Sequence, residues 1–373
     1  FNTEKVIYMN ILESAFASAE TLGLDYKVPI LLFQRKNVLE VKKDDIIAIQ
    51  NKHLNTMAIF DYEEEMGKIE AGKKVECEIM NANETAYILY TSGTINQGKG
   101  VVRDIGGCAV TANFTMENIM NLNRGEVSLC TSDIGWIVGH LFMVYGPLIR
   151  GATTLIVEGK PSGTPDCSVC FKLIQQYKAK IFYCCPTVIR LYKMEDPELK
   201  IISKFDLSSL ETLALSGERC DLGSFEWAQK IAGNTKMIND HWWQTESGYP
   251  ICCNNIKIKR RKCAPGITGY PNLGFDVRIF KMEDGNEPSE VKITNKKGIV
   301  CVKLPTPPSF MLTFYKNDEK ECKKCHGFFG PAKDGQCTIT KKIHPPVFRL
   351  AGFGRFLFLA KELSFRVYFA EFR

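Results

Sequence analysis

The sequence lacks long hydrophobic runs. None of its apolar stretches approaches the roughly 20 residues needed to cross a bilayer, so no membrane span is predicted. It also lacks a strong excess of one charge, because the formal net charge of its 373 residues is only +6. The one dense basic run, residues 257–262, favours a solvated loop, with contact to an anionic ligand or nucleic acid as the alternative. We therefore expect no nucleic-acid partner.

The cysteines lack the spacing of a disulfide framework, although there are 15 of them. Cys184-Cys185 and Cys252-Cys253 are adjacent pairs inside apolar or loop segments. A reducing compartment is therefore indicated. The sequence begins at Phe1 rather than Met, so no targeting segment can be read from it.

The amino-acid composition is typical of a soluble globular protein, because 45% of the residues are hydrophobic and 24% are charged. Short β-branched or apolar runs alternate with helical patterns. The predicted strands are residues 86–90, 127–130, 153–157, 180–184, 212–215 and 236–238, and the predicted helices are residues 107–121, 171–177, 188–192 and 224–231. This order predicts an α/β fold with a largely parallel sheet and flanking helices, which binds ligands where strands end and loops begin.

A different pattern begins beyond Pro271. Residues 276–281 and 298–304 are strand-like, and the polar stretch 282–297 separates them. This arrangement predicts a hairpin or a small β subdomain.

A glycine-rich loop lies in YILYTSGTINQGKGVVRD, residues 87–104. Gly93, Gly98 and Lys99 reproduce the G-x-x-x-x-G-K spacing of a nucleotide-hydrolase loop, but Gly100 stands where Ser or Thr would ligate Mg²⁺. The residues after Lys99 are those of a return strand rather than a helix. Backbone N–H groups, hydroxyls and a lysine suit a polyphosphate, whereas an ordinary glycine-rich hairpin is the alternative from this pattern alone.

Four ordered motifs resemble those of the adenylate-forming enzymes, the acyl-CoA synthetase superfamily. They are the loop at residues 90–102, SDIGWIVGHLFMVYGPLIRGATTLIVEGKPSGTPD at 132–166, SGERCD at 216–221 and DHWWQTESG at 240–248. The pattern is most similar to the short-chain branch that contains acetyl-CoA and propionyl-CoA synthetases, over roughly residues 10–320. The resemblance implies a partial N-terminal α/β domain at 1–270, a small β subdomain at 271–320, and a divergent tail at 321–373 in place of the C-terminal catalytic domain.

The resemblance implies activation of a short-chain carboxylic acid with ATP, Mg²⁺ and coenzyme A, through an acyl-AMP. It assigns Thr245 to the α-phosphate and Glu246 to Mg²⁺, which prefers hard oxygen ligands. Other residues are assigned to the nucleotide: Thr91, Ser92, Gly93, Thr94 and Lys99 to the β and γ phosphates, Gly217, Glu218 and Arg219 to the adenine side, and Asp240, His241, Trp242 and Gln244 around the nucleotide.

The resemblance also locates the acid pocket. Trp243 occupies the position of the indole that closes the pocket floor in the short-chain branch, and Trp136 and Val138 belong to the other wall. An indole at the floor removes room for a long chain, so acetate or propionate is expected. The alternative for Trp136 is an ordinary core aromatic.

Several departures from the family pattern lead to a second interpretation. Ile95, Asn96 and Gly98 replace the usual hydroxyl, glycine and proline of the loop, and Leu141 replaces a serine close to the expected coenzyme A path. The resemblance also begins partway through the family's N-terminal domain and stops after about Lys324, so we expect a chain shortened at both ends. The alternative function is therefore a degenerate, non-catalytic homologue with weak or no nucleotide binding.

CKKCH at residues 322–326 matches a haem-attachment pattern and with Cys337 imitates a zinc cluster, but neither interpretation has a complete ligand set.

A mitochondrial matrix location follows from the resemblance, with the cytoplasm as the alternative.

Overall fold

A computed structural model describes most of the chain. It covers residues 2–21, 30–33, 42–52, 58–69, 71–91, 98–157, 159, 161–162, 166–233, 237–259, 264–281, 289–290, 299–303, 305–316, 336–337 and 367–370. The chain divides into two compact units, Phe1–Ile79 and Met80–Arg373.

The described part of the first unit contains three helices and a two-stranded parallel sheet. The helices are α1 (Asn2–Thr21), α2 (Lys43–Lys52) and α3 (Tyr62–Gly67), and the strands are β1 (Ile30–Leu32) and β2 (Ile59–Asp61). The Asp61 carboxylate caps α3 by accepting from the Glu64 N–H at 3.1 Å. The acidic first turn of α3 complements the positive end of its dipole.

The second unit is built on a six-stranded parallel sheet, which confirms the predicted fold class. Its order is β17-β6-β5-β7-β8-β9. The strands are β5 (Val127–Cys130), β6 (Thr153–Val157), β7 (Ile181–Cys184), β8 (Thr212–Ser216), β9 (Met237–His241) and β17 (Val367–Ala370). The first five match predicted strands closely, whereas β17 lies in the tail, where no element was predicted.

Helices connect these strands on both faces of the sheet. They are α4 (Ile105–Phe114), α5 (Ile137–Gly139), α6 (Gly146–Ile149), α7 (Val169–Tyr177), α8 (Pro186–Glu195) and α9 (Leu222–Ala232), together with π-helical turns at Thr115–Ile119 and His140–Tyr145 and a 3₁₀ turn at Ile202–Lys204. Asp104 caps α4 through the Gly107 N–H at 3.1 Å, and Asp221 caps α9 through the Ser224 N–H at 2.9 Å.

Two hydrophobic clusters cover the sheet faces. Phe182 and Leu213 belong to one cluster, and their neighbours along the strands, Tyr183 and Ala214, belong to the other. Because successive strand side chains point to opposite faces, the continuous apolar runs of the sequence bury both sides of the sheet.

Smaller antiparallel sheets complete this unit. β3 (Thr85–Thr91) and β4 (Lys99–Asp104) form a hairpin, and β15 (Thr313–Phe314) pairs with β4 as the third strand. A four-stranded sheet has the order β13-β12-β14-β16, with β12 at Val277–Lys281, β13 at Ser289–Glu290, β14 at Ile299–Lys303 and β16 at Gln336–Cys337. β10 (Cys252–Cys253) pairs with β11 (Tyr270–Pro271).

The predicted hairpin beyond Pro271 is confirmed by the antiparallel pair β12 and β14. The polar stretch between them contains the short strand β13, which the sequence pattern did not indicate. The predicted boundaries of the three domains stay predictions. Among the described residues, no helix has both the length and the apolar character that a membrane crossing requires.

Candidate functional site

The predicted phosphate loop connects the two strands of the hairpin. Thr91 at the end of β3 pairs with Lys99 at the start of β4. The loop residues Ser92, Gly93 and Thr94 lie outside the described residues. The Lys99 ammonium lies 5.7 Å from the centroid of the Phe314 ring, so β15 also contacts the predicted phosphate lysine.

Gly100, where β15 packs against the hairpin, permits the close approach of this third strand. A Cβ at Gly100 would lie 2.9 Å from Ile88 Cγ2 and 3.1 Å from Tyr315 Cβ. The Tyr315 N–H donates to the Gly100 carbonyl at 2.7 Å, which extends the pairing of β15 with β4. Gly100 therefore suits a return strand packed tightly by a third strand.

The same segment also contacts the predicted magnesium residue. The Met311 N–H donates to the Glu246 carbonyl at 2.9 Å, and the Leu312 N–H donates to the Val102 carbonyl at 3.0 Å. Adjacent residues of one segment thus hold the loop that carries Thr245 and Glu246 and the strand that carries Lys99. These three parts of the sequence are far apart in the chain but adjacent in the structure.

The carboxyl end of β9 has two buried titratable side chains. Asp240 is 4% exposed and His241 is 2% exposed. Burial raises the pKa of Asp240 to about 7 and lowers the pKa of His241 to about 3. Asp240 Oδ1 and both His241 ring nitrogens have no hydrogen-bond partner among the described residues. Such unpaired buried groups are typical of functional sites.

The loop after β9 is held by its own hydrogen bonds. The Trp242 N–H donates to the Cys252 carbonyl at 2.9 Å, and the Ser247 N–H donates to the Gln244 carbonyl at 3.1 Å. The Ser247 hydroxyl accepts from the Gln244 N–H at 3.2 Å. Gly248 has φ +81°, and a Cβ there would overlap Ser309. The backbone of residues 242–248 is therefore fixed by local contacts.

The predicted floor and wall of the acid pocket lie beside one of the hydrophobic clusters. The Trp243 ring packs edge-on against Phe142 with 5.8 Å between ring centroids, and both Trp243 and Val138 are partly buried against that cluster. Trp136, directly before α5, is 52% exposed, so it is not the core aromatic of the alternative interpretation. Leu141 is buried in the same cluster.

The predicted adenine-side residues follow β8. Gly217 adopts φ +100°, which glycine tolerates best. Glu218 accepts from the Thr187 hydroxyl and from Arg190, whose nearer nitrogen lies at 2.5 Å. Burial alone would raise the pKa of Glu218, but these hydrogen bonds outweigh it and hold the pKa below its usual value. Glu218 therefore has an ion-pair role within the protein, beside any contact with a ligand.

Arg219 lies against the backbone of another loop. A Cβ at Gly266 would lie 2.9 Å from two Arg219 guanidinium nitrogens, so the glycine allows the guanidinium to lie over that loop. Gly266 has φ +70°.

Arg103 on β4 is a residue that the sequence analysis missed. Its side chain is fully buried and donates to the carbonyl oxygens of Thr245 and Ser309. The sequence feature that could have indicated Arg103 is its place directly after Val101 and Val102 in a strand-like run. Buried strand positions rarely hold a cation without a partner, so an arginine there predicts a specific contact.

The Glu246 carboxylate fits the predicted Mg²⁺ contact. Its backbone carbonyl accepts from Met311, whereas its side chain makes no hydrogen bond or ion pair to the described residues. Those residues also contain no cluster of three or more metal-ligating side chains. One available carboxylate suits a Mg²⁺ ion that brings phosphate oxygens and water as its other ligands.

Comparison with known proteins identifies the family. The family model described as AMP-binding enzyme matches residues 25–314. The chain belongs to the AMP-binding enzyme family. Both the glycine-rich hairpin and the loop with Thr245 and Glu246 lie inside the matched range.

Individual relatives of this AMP-binding chain include short-chain acyl-CoA synthetases. The acyl-CoA synthetase short-chain family member 3, mitochondrial, of Rattus norvegicus is 36% identical over 316 residues, which cover 84% of this chain and 43% of the relative. The propionate--CoA ligase of Salmonella typhimurium is 38% identical over 258 residues, covering 69% of this chain and 40% of the relative. The chain thus spans less than half the length of these relatives.

A solved structure shares the fold. The crystal structure of the anthranilate CoA ligase AuaEII in complex with anthranoyl-AMP matches with a TM-score of 0.63 at 18% identity. The match covers 87% of this chain and 57% of that chain. The similarity supports the fold of this AMP-binding protein.

Proposed function

We propose that this chain binds MgATP at the carboxyl-end edge of its parallel sheet and activates a short-chain carboxylic acid, acetate or propionate. In the first step a carboxylate oxygen of the acid attacks the α-phosphorus, and the bond to the leaving pyrophosphate breaks. In the second step the thiol of coenzyme A releases its proton to solvent, its sulfur attacks the acyl carbon, and AMP leaves with the electron pair of the broken C–O bond. The products are acyl-CoA, AMP and pyrophosphate.

The proposal gives the residues of the two loops separate tasks. Lys99 neutralises charge on the β and γ phosphates, and Thr91 and the loop residues 92–94 donate hydrogen bonds to them. Thr245 donates to the α-phosphate, and Glu246 holds Mg²⁺. The metal neutralises charge on the phosphates when bound, because phosphoryl transfer depends mainly on positioning and charge stabilisation.

The connection through residues 311–315 is the observation that carries this proposal. Hydrogen bonds from this segment reach Glu246 on one side and the strand after Lys99 on the other. A fixed relation between the lysine and the carboxylate is what a MgATP site needs, because rate depends on geometry at the scale of an ångström.

The acid specificity in this proposal depends on Trp243. Its contact with the buried Phe142 ring supports an indole held in one place, which is the floor of the pocket in this proposal. Val138 packs against the same hydrophobic cluster and forms the other wall in this proposal. The names of the relatives, which include propionate–CoA ligase, favour the same class of acid. A mitochondrial location is proposed from the names of the short-chain relatives.

Isothermal titration of the chain with ATP in the presence of Mg²⁺ tests the nucleotide site. Glu246→Ala and Lys99→Ala should each weaken binding by at least ten-fold, because charged hydrogen bonds contribute about 1.5–3 kcal/mol. The matched controls are Glu226→Ala and Lys172→Ala, which remove exposed charges from α9 and α7. Unchanged affinity in both site variants would remove the assignment.

A second assay separates the enzyme from the degenerate homologue. Propionate-dependent exchange of labelled pyrophosphate into ATP reports acyl-AMP formation without requiring coenzyme A. Exchange that depends on Lys99 and Glu246 supports the enzyme. No ATP binding by the wild-type chain supports the non-catalytic alternative.

A further inference from the structure

Arg103 joins three segments that the sequence separates widely. It lies on β4, directly after the predicted phosphate hairpin, and its side chain is fully buried. One terminal guanidinium nitrogen donates to the Thr245 carbonyl, and the other donates to the Ser309 carbonyl and lies 3.4 Å from the Ser309 hydroxyl. The contacts span 142 and 206 residues of sequence.

We propose that Arg103 is a positioning residue of the adenylation site, which sets the place of Thr245 and Glu246 relative to the strand that carries Lys99. This inference rests on the proposed function of the same site. Arg103 does not touch the nucleotide in this proposal. It acts through the carbonyl group that directly precedes Glu246.

The planar fork of the guanidinium explains why arginine suits this position. Its two terminal nitrogens point in fixed directions, so one side chain holds Thr245 and Ser309 at the same time. Lysine has a single ammonium at the end of a flexible stem and does not reproduce this fixed geometry.

The packing around Gly248 leaves little freedom for the loop. A Cβ at this position would overlap the Arg103 guanidinium and Ser309, so the backbone of residue 248 lies directly against both. The Met311 N–H bond to Glu246 holds the same loop two residues earlier. A substitution of Arg103 is therefore expected to shift the loop of residues 242–248 and not only to leave a cavity in place of the side chain.

Arg103 also keeps a positive charge beside the site. It forms no ion pair with a described carboxylate, and its main partners are neutral carbonyl groups. Burial lowers its pKa, whereas the nearby side chains of Tyr87, Cys108 and Glu246 oppose that shift. A cation buried directly beside this loop favours the negative charge of bound phosphate next to it.

The test compares Arg103→Met and Arg103→Lys with Lys180→Met. Lys180 is a buried cation of the same unit, located before β7 at the opposite end of the sheet and paired with Glu126 at 2.8 Å. MgATP affinity is measured by titration. Amide hydrogen exchange of the full chain measures the Met311 and Ser247 N–H groups, and unfolding curves measure stability.

We expect Arg103→Met to weaken MgATP binding by about 10- to 100-fold, as for other residues that orient a ligand-binding group. Exchange at Met311 and Ser247 should accelerate in the same variant. Arg103→Lys keeps a charge but not the fork, so it should recover less than half of the lost affinity on a logarithmic scale. Lys180→Met should lose stability, keep its MgATP affinity within two-fold, and leave exchange at both amides unchanged.

The outcomes separate this inference from the proposed function. If the wild-type chain binds no MgATP, the proposed function fails, and the exchange of Met311 and Ser247 still decides whether Arg103 fixes the loop. If Arg103→Met does not fold, the same two measurements on Arg103→Lys decide the matter. Wild-type affinity and wild-type exchange in the folded Arg103 variants would overturn the inference, as would equal effects of Lys180→Met.

Discussion

The buried titratable groups at the two ends of the parallel sheet differ in how they are paired. At the amino end, the Lys180 ammonium donates to both oxygens of Glu126 at 2.8 Å. The neighbouring backbone is also paired, since the Lys180 N–H donates to the Val127 carbonyl at 2.9 Å and the Glu211 N–H donates to the Lys180 carbonyl at 2.8 Å. The buried cation at this end is matched by a carboxylate within the protein.

At the carboxyl end the pairing is incomplete. Among the described residues, Asp240 Oδ1 and the His241 ring nitrogens have no partner, and the Arg103 guanidinium has carbonyl groups but no carboxylate. Burying polar groups without partners destabilises a fold. The difference supports the proposal that the carboxyl end serves binding, because open α/β sheets bind ligands beyond the carboxyl ends of their strands.

The largest expected effect comes from the two unpaired groups at the end of β9. Asp240 has a pKa of about 7 in the fold against an ordinary value of 3.8, so its contribution to stability is complete below pH 3.8 and is lost as the pH rises to about 7. His241 has a pKa of about 3 against 6.5, so its contribution is present above pH 6.5 and is lost as the pH falls to about 3.

These two contributions oppose each other in the wild-type chain between about pH 4 and 6.5. Asp240→Asn leaves only the histidine, so the free energy of unfolding should fall on acidification by up to about 4 kcal/mol more than in wild type, at about 1.4 kcal/mol per pKa unit. His241→Gln should produce the opposite slope. Urea unfolding across this range measures both, and curves parallel to wild type would show that the groups are not buried as described.

A smaller effect is expected for a methyl group at Gly248. Gly248→Ala introduces a Cβ at φ +81° that overlaps Arg103 and Ser309. Gly125→Ala is a matched control, because Gly125 also has φ +81° but has no atom within 4 Å of its added Cβ. We expect a loss of about 3 kcal/mol for the first variant and about 1 kcal/mol for the second, measured by urea unfolding. Equal losses would mean that backbone strain alone limits residue 248.

Weakening the amino-end ion pair should lower stability without affecting binding. Glu126→Gln keeps the shape of the side chain but removes the charge opposite Lys180, which has a side chain only 10% exposed. We expect a loss of about 1–2 kcal/mol in unfolding free energy, because Glu126 is partly solvated. MgATP affinity should stay within two-fold of wild type. A ten-fold loss of affinity would remove the distinction between the two ends.

The smallest effect concerns acid preference. If the chain activates acids as proposed, Trp243→Gly should raise the ratio of butyrate to propionate activation by a few-fold, at about 0.8 kcal/mol for the one added buried CH₂. Pyrophosphate exchange with a series of straight-chain acids measures this ratio. The matched control is Trp227→Phe, a change in the other hydrophobic cluster. The same ratio in Trp243→Gly and wild type would show that Trp243 is not the pocket floor.

The sequence predicted the parallel sheet because its signal is local. Val127–Cys130 and Thr153–Val157 are short apolar runs between helical patterns, and both are strands with the predicted bounds. The pairing of Thr313–Phe314 with β4 could not be predicted, because it joins residues about two hundred positions apart and only two residues long. The strand Val367–Ala370 in the tail was not predicted either, because four residues are too few to show a clear hydrophobic pattern.

The sequence predicted individual residues of the candidate site, but it did not predict which backbone contacts hold them in place. The motif DHWWQTESG indicated Thr245 and Glu246, yet nothing in it indicated that Arg103 and Met311 hold their backbone. These contacts use carbonyl and N–H groups, which every residue carries, so the sequence leaves no characteristic side chain at the partner positions. Arg103 is the one member of these contacts that the sequence makes recognisable, because it is a cation within an apolar strand.

Amide hydrogen exchange with and without MgATP tests the difference between the two ends most directly. We predict slower exchange on adding MgATP at the carboxyl end, at Ser247, Met311 and Leu312, and no change at the amino end, at Gly125, Lys180 and Glu211. Protection confined to the amino end, or the absence of any protection at saturating MgATP, would contradict the assignment of the carboxyl end as the nucleotide site.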